Sequence, residues 1–359
     1  MPECPKVTLR WAAAVATIGA VLTGCGASPS APAEPATASP LPRLVQRQHV
    51  SMGSPVELSA WTPDEPEAVE AFDAAFAEFD RLDALLSVWK DGSDVLRLNA
   101  AAGQQPVSVS KDTIEVLRQA LEASDRTSGK FDVTFGALAD VWKFDQDQDD
   151  RIPTPAEIAA RLPLVDYHAI VLDEKAGTAF LRRAGVRVHL GGIGKGYAVD
   201  RAVAILRSRG LRDFMVQSGG DLYVAGRRGD RPWRLGIRDP RGPADRSFAT
   251  LDLSDSTFST SGDYERFFVK GGVRYHHLLD PDLGQPARLS RSVTIVAARA
   301  TQADALLKGV FILGPEEGMA LIERLPEVEG VIVSARNEVL ISSGLRSKLR
   351  LLGQPTDAP

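Results

Sequence analysis

Ser259-Thr-Ser-Gly-Asp-Tyr-Glu-Arg-Phe-Phe268, followed by Tyr275-His-His-Leu-Leu-Asp-Pro281 and by Ala303-Asp-Ala305, gathers hydroxyls, two adjacent histidines and several carboxylates between residues 259 and 305. The paired glycines of Lys270-Gly-Gly272 predict a β-hairpin bracketed by Ser259–Asp263 and His276–Asp280. Such a strand pair would hold Thr260, Ser261 and His277 on rigid backbone. No G-x-S-x-G elbow surrounds Ser261, so it is not a hydrolase nucleophile. A lone histidine is more often a structural hydrogen bonder than a base, and on residue type alone His277 is no exception.

Upstream lies His189-Leu-Gly-Gly-Ile-Gly-Lys-Gly-Tyr-Ala-Val-Asp200, in which glycines separate a predicted strand from a predicted helix. Glycines there let backbone approach a ligand, helix N-terminal amides favour a pyrophosphate, and Lys195 adds positive charge. The same glycines serve equally well in a tight turn that merely needs positive φ. Neither the Rossmann spacing G-x-G-x-x-G nor a P-loop is present. Asp304 opens a predicted helix with Lys308 one turn on, an arrangement that usually means a dipole partner or cap.

Helical spacing of Val69, Phe72, Phe76, Phe79, Leu82 and Leu86 predicts an amphipathic helix over Asp64 to Leu86. Further helices are predicted from Lys111 to Ser128, capped by Ser110 and ended by Gly129, from Lys195 to Arg209, and from Ala303 to Leu313, closed by Gly314. Strand-like runs occupy 169–172, 186–190, 214–217, 233–237 and 293–297, and 331–333 with 339–341 reads as a hairpin around Asn337-Glu338. No steady βαβ rhythm joins them, which predicts an α+β fold with mixed, largely antiparallel sheets. Asp145, Asp147, Asp149 and Asp150 faintly suggest a calcium loop, but its central glycine is missing and its last acid is displaced. A solvated acidic turn before a helix over Pro155–Leu162 is the better reading.

Across 359 residues, 44% are apolar and 25% charged, ordinary globular composition, and the net charge of −5 is interspersed, with no basic stripe for nucleic acid. Lys6 and Arg10 precede an apolar run, Trp11 to Leu22, too short to span a bilayer, which reads as an export signal over residues 1–24. Leu22-Thr-Gly-Cys25 resembles a bacterial lipobox, so Cys25 is expected to carry lipid and tether an exported protein to a membrane. Cys4 would leave with the signal, so the exported part has no disulfide. Residues 25–43 are an Ala/Pro/Ser tether, 44–350 the folded domain, and 351–359 a tail.

Taken together, these segments resemble the ApbE family of FAD:protein FMN transferases. Met52-Gly-Ser54, Leu86-Ser-Val-Trp89 with Ser93 and Leu98-Asn99, Gly129-Lys-Phe-Asp-Val-Thr134, and Gln217-Ser-Gly-Gly-Asp221 are similar to further family segments in the same order. The resemblance implies an FAD cleft between subdomains, contacted by Met52, Ser93, Asn99, Asp132, Thr134, Lys195, Gly219, Gly220, Ser261, Gly262 and His277. It makes His277 and Asp304 the catalytic candidates, with Mg²⁺ held by Asp304, the Gly192 carbonyl and a threonine. Lys308 stands where that threonine is expected, and His189 where an aspartate is. A hard cation needs oxygen donors, so a lysine there repels the metal or takes its seat. The implied partners are FAD and an acceptor subunit of a redox complex. Water in place of the acceptor would make the protein an FAD pyrophosphatase, and without turnover it would be an FAD-binding lipoprotein.

Overall fold

Every residue of the strand Ser290–Ala297 is buried, which requires that both faces of its sheet be covered. In the computed structural model, which describes residues 41–358, this strand lies in an eight-stranded sheet whose order in space follows the order in the chain. The strands are Arg43–Ser51, Ser54–Thr62, Phe214–Ser218, Asp221–Ala225, Ser256–Gly262, Ser290–Ala297, Glu329–Ser334 and Val339–Ile341. Each is antiparallel to the next. The export signal, Cys25 and nearly all of the tether lie outside the described residues.

Among the described residues six α-helices accompany the sheet: α1 (Glu65–Leu86), α2 (Asp94–Ala100), α3 (Lys111–Arg126), α4 (Pro155–Arg161), α5 (Gly194–Ser208) and α6 (Ala300–Arg324). Asp64 caps α1 by accepting from the Glu67 amide at 2.9 Å, and Phe72, Phe79 and Leu82 are fully buried on its inner face. Each such side chain contributes about 1.5–3 kcal/mol. They pack with Val56 and Leu58 of the sheet and Ala198 and Ala202 of α5. Alternation then sorts the strand Ser290–Ala297: Val293 and Ile295 join α6, while Val296 turns to the opposite face. There Trp233, Leu235 and Phe248 come from a small sheet built of Trp233–Arg238, Ser247–Leu253 and Arg350–Leu351. Helices, large sheet and small sheet make three layers, the α+β architecture that the mixed pattern predicts.

The structure departs from the sequence pattern at several places. The run 186–190 makes no strand, only a bridge from Phe135 to Arg187, because the Asn99 side chain satisfies both backbone groups of Val188, at 2.8 and 2.9 Å. The α6 helix begins before Asp304, at Ala300, because Asp200 accepts from the Ala300 and Thr301 amides at 2.8 and 3.0 Å. Gly314, at φ 84°, kinks this helix instead of ending it, and Pro315 starts the continuation. The tail is docked: the amide of Thr356 donates to Asp239 at 3.0 Å and Asn337 donates to the Pro355 carbonyl at 2.9 Å.

The hairpin around Lys270-Gly-Gly272 forms from Phe267–Lys270 and Val273–His276, with both glycines at positive φ. Thr260 and Ser261 belong instead to the strand Ser256–Gly262 of the large sheet. A satellite cluster of Leu138, Trp142, Phe144, Phe268 and Leu279 joins the hairpin to the segment 138–144. The cleft opens where this cluster faces the sheet and the start of α5.

Candidate active site

Glycines allow two close backbone approaches. A Cβ at Gly196 would lie 2.3 Å from the Ala300 carbonyl oxygen and 2.6 Å from Cβ of Asp304, so only glycine lets α5 approach α6 this closely. The Gly196 amide can then donate to Asp304 Oδ2 at 2.9 Å. A Cβ at Gly220 would sit 2.2 Å from the Thr260 carbonyl oxygen, and Gly219 takes φ 56°, so the turn Ser218–Asp221 closes tightly against the strand Ser256–Gly262. The cleft between them is lined by Gly191, Gly192, Lys195, Gly219, Gly220, Asp221, Ser261, His277 and Lys308. Phe131, Phe135, Trp142 and Phe144 line the same cleft, Phe131 next to Gly192 and Phe135 against His189.

Charge is concentrated at the glycine end. Lys308 forms an ion pair with Oδ1 of Asp304, whose side chain is wholly buried, while that of Lys308 is 13% exposed. Asp304 therefore sits behind the wall and Lys308 forms it. Burial works to raise the Asp304 carboxyl, but Lys308 and Lys195 outweigh it and hold the group below its ordinary value. Lys195 donates to the Gly191 carbonyl at 3.2 Å and lies 3.9 Å from Asp221 Oδ2. Oδ1 of Asp221 has no hydrogen-bond partner, and burial, then the neighbouring Asp304, push this carboxyl up to about 6.

The adjacent histidines differ completely. His276 is buried, donates from Nε2 to the Ala287 carbonyl at 2.8 Å, and is lowered to about 4, mainly by burial. His277 faces the cleft, with Nδ1 3.4 Å from the Arg266 carbonyl, which can only accept. The ring proton is thereby assigned to Nδ1 and the lone pair to Nε2. Burial, then His276, Arg266 and Lys308, hold this ring well below the usual histidine value, so it is neutral at pH 7. His189 accepts from the Gly191 amide at Nδ1, 3.1 Å, and burial likewise lowers it.

Of the expected contact residues, Asp132, Lys195, Gly219, Gly220, Ser261 and His277 line the cleft, together with Gly192 and Lys308. Five do not line it. Ser93 caps α2, and Asn99 ties down Val188. Thr134 bonds Asp132 Oδ1 at 2.6 Å and receives the Asp166 amide, holding the loop that carries Asp132. Met52, at φ 52°, packs on the core near Gly194, and Gly262 lies under the Tyr264 ring. Neither Asp221, the Arg266–Asp145 ion pair nor the rings of Phe135 and Phe144 stand out in the sequence, although Asp221 closes the Gly-Gly-Asp motif.

A divalent cation does not fit these side chains. Asp304 spends one oxygen on the Lys308 ammonium and the other on the Gly196 amide. Among the described residues no group of three His, Cys, Asp or Glu side chains is placed to hold an ion. Mg²⁺ requires several oxygen donors in near-octahedral array.

The chain and its fold are similar to known proteins. The sequence model of the ApbE family matches residues 52–332. An FAD:protein FMN transferase of Treponema pallidum is 33% identical over 303 residues, covering 80% of this chain and 83% of the relative. One from Klebsiella pneumoniae is 30% identical over 305 residues, 85% and 93% of the two chains. The solved ApbE protein of Thermotoga maritima superposes with a TM-score of 0.79 at 31% identity, over 85% of this chain and 99% of its own. The flavin transferase ApbE of Vibrio cholerae gives 0.77 at 26% identity, over 86% and 99%.

Proposed function

The chain belongs to the ApbE family, and on that premise we propose that it transfers FMN from FAD to a serine or threonine hydroxyl of an acceptor protein, releasing AMP. The observation that carries this reading is one cleft lined both by aromatic rings, Phe131, Phe135, Trp142 and Phe144, and by Lys195, Lys308 and the glycine turns. Aromatic rings suit a flat ring system, and two ammonium groups suit a diphosphate.

In the reaction the acceptor oxygen forms a bond to the FMN-side phosphorus as the bond from that phosphorus to the AMP oxygen breaks. AMP departs with the electron pair. The hydroxyl proton goes to a base, and His277, neutral with a free Nε2, is suited to take it. Positioning and charge neutralisation supply the remainder of phosphoryl-transfer catalysis. Lys195 and Lys308 provide that charge.

Incubation with FAD alone, then with a candidate acceptor domain of a redox complex, tests the proposal. AMP released only with acceptor, in step with FMN attached to it, is the expected result. AMP released without acceptor would make the protein a pyrophosphatase, and tight FAD binding without AMP would make it a carrier. We further propose export and membrane attachment through Cys25, on the signal-like run and the lipobox resemblance. Labelled fatty acid should enter the wild-type protein in a bacterial host and should not enter a C25A variant.

A further inference from the structure

Resting on the flavin-transfer reading, we propose that the Lys308 ammonium is a built-in cation of the diphosphate site, so that FAD is bound and cleaved without a divalent ion. The side chain of Lys308 reaches from α6 to the glycine turn: a Cβ placed on Gly192 would lie 4.0 Å from Lys308 Cε. Its anchor, Asp304, is wholly buried, while Lys308 itself lines the cleft. The ammonium is thus held from behind and presented forwards, near the glycine turn that precedes α5.

Charge balance points the same way. Lys308 and Lys195 face two buried carboxylates, Asp304 and Asp221. To use Asp304, an entering divalent ion would have to strip it from Lys308, leaving a half-buried ammonium without its partner, which is unfavourable. Oδ1 of Asp221 is unpartnered, but it is a single oxygen on a carboxylate already beside the Lys195 ammonium, short of the several oxygen donors such an ion needs. A bound diphosphate meets the opposite situation, gaining two ammonium groups already fixed in place. In the transfer step Lys308 offsets charge on the phosphoryl oxygens, while the hydroxyl proton passes to His277 and AMP carries away the electron pair.

The test is FAD binding by the purified full chain, measured by calorimetry in EDTA and again with Mg²⁺, for wild type, K308R, K308M and K308T. Wild type and K308R should bind equally with and without Mg²⁺, within about twofold. K308M should bind about tenfold or more weakly in both conditions. K308T, which restores a hydroxyl beside a freed carboxylate, should bind about tenfold or more weakly in EDTA and recover with Mg²⁺. Paramagnetic titration with Mn²⁺ should show a site in K308T and none in wild type. A wild type that loses affinity in EDTA, or that binds one Mn²⁺, would overturn the inference while leaving flavin transfer intact. Failure of wild type to bind FAD in either condition would remove the functional reading and this inference with it.

Discussion

At the scale of single residues, two neighbouring histidines illustrate how position divides labour. His276 spends Nε2 on a backbone carbonyl deep in the fold, whereas His277 keeps Nε2 free toward the cleft. Replacing His277 by alanine should lower the transfer rate by about 10²–10⁴, with FAD affinity changed far less, in single-turnover assays. Because burial and nearby positive charge hold His277 well below the usual histidine value, its basic form persists into mildly acidic solution. The rate should therefore show no loss centred near the ordinary histidine pKa. Asp221 gives a second expectation. Its carboxyl, near 6 in the fold, lies above the unfolded value, so the folded state binds more protons between the two and stability falls as pH rises through that window. A D221N variant should flatten this slope and gain on the order of 2 kcal/mol at pH 7. Thermal melts across pH 4–8 that match wild type would contradict the assignment. The sequence pointed to His277 through its neighbours, but not to the free oxygen of Asp221, since whether a buried carboxylate finds partners depends on residues far away in the chain.

At the scale of elements, the crossing of α5 and α6 sets the site. Gly196 permits the approach and Asp304 completes it with a hydrogen bond. A G196A variant should lose about 1–3 kcal/mol through overpacking and should also weaken FAD binding, because Asp304 and Lys308 must move. Chemical denaturation together with FAD titration would check both effects. The start of α6 rests on Asp200, whose carboxylate accepts from Ala300 and from Thr301. Removing it as D200A should cost about 1 kcal/mol. Helices with strong periodicity and local caps, such as α1 behind Asp64 and α3 behind Ser110, were legible in the sequence. The start of α6 was not, because its cap comes from α5, a hundred residues away. The segment 186–190 failed for a similar reason: its β-branched residues suit a strand, but the Asn99 side chain, not a neighbouring strand, takes its backbone groups.

At the scale of the whole molecule, the large sheet is covered by helices on one face and by the small sheet on the other, and the cleft opens toward the satellite aromatic cluster. The α+β class followed from the pattern, whereas the three layers came from pairings that only the folded chain reveals. The C-terminal segment is part of this body. Deleting residues 352–359 leaves Asp239, which is fully buried, without its bonds to Thr356, and should cost about 1–3 kcal/mol, read from denaturation midpoints. The account as a whole depends on the cleft holding a flavin dinucleotide with its diphosphate against Lys195 and Lys308. The direct measurement is calorimetric titration of FAD into wild type and into a K195E/K308E double variant whose circular dichroism matches wild type. One equivalent bound by wild type and none by the variant is the predicted result; no binding by wild type, or undiminished binding by the variant, would contradict it.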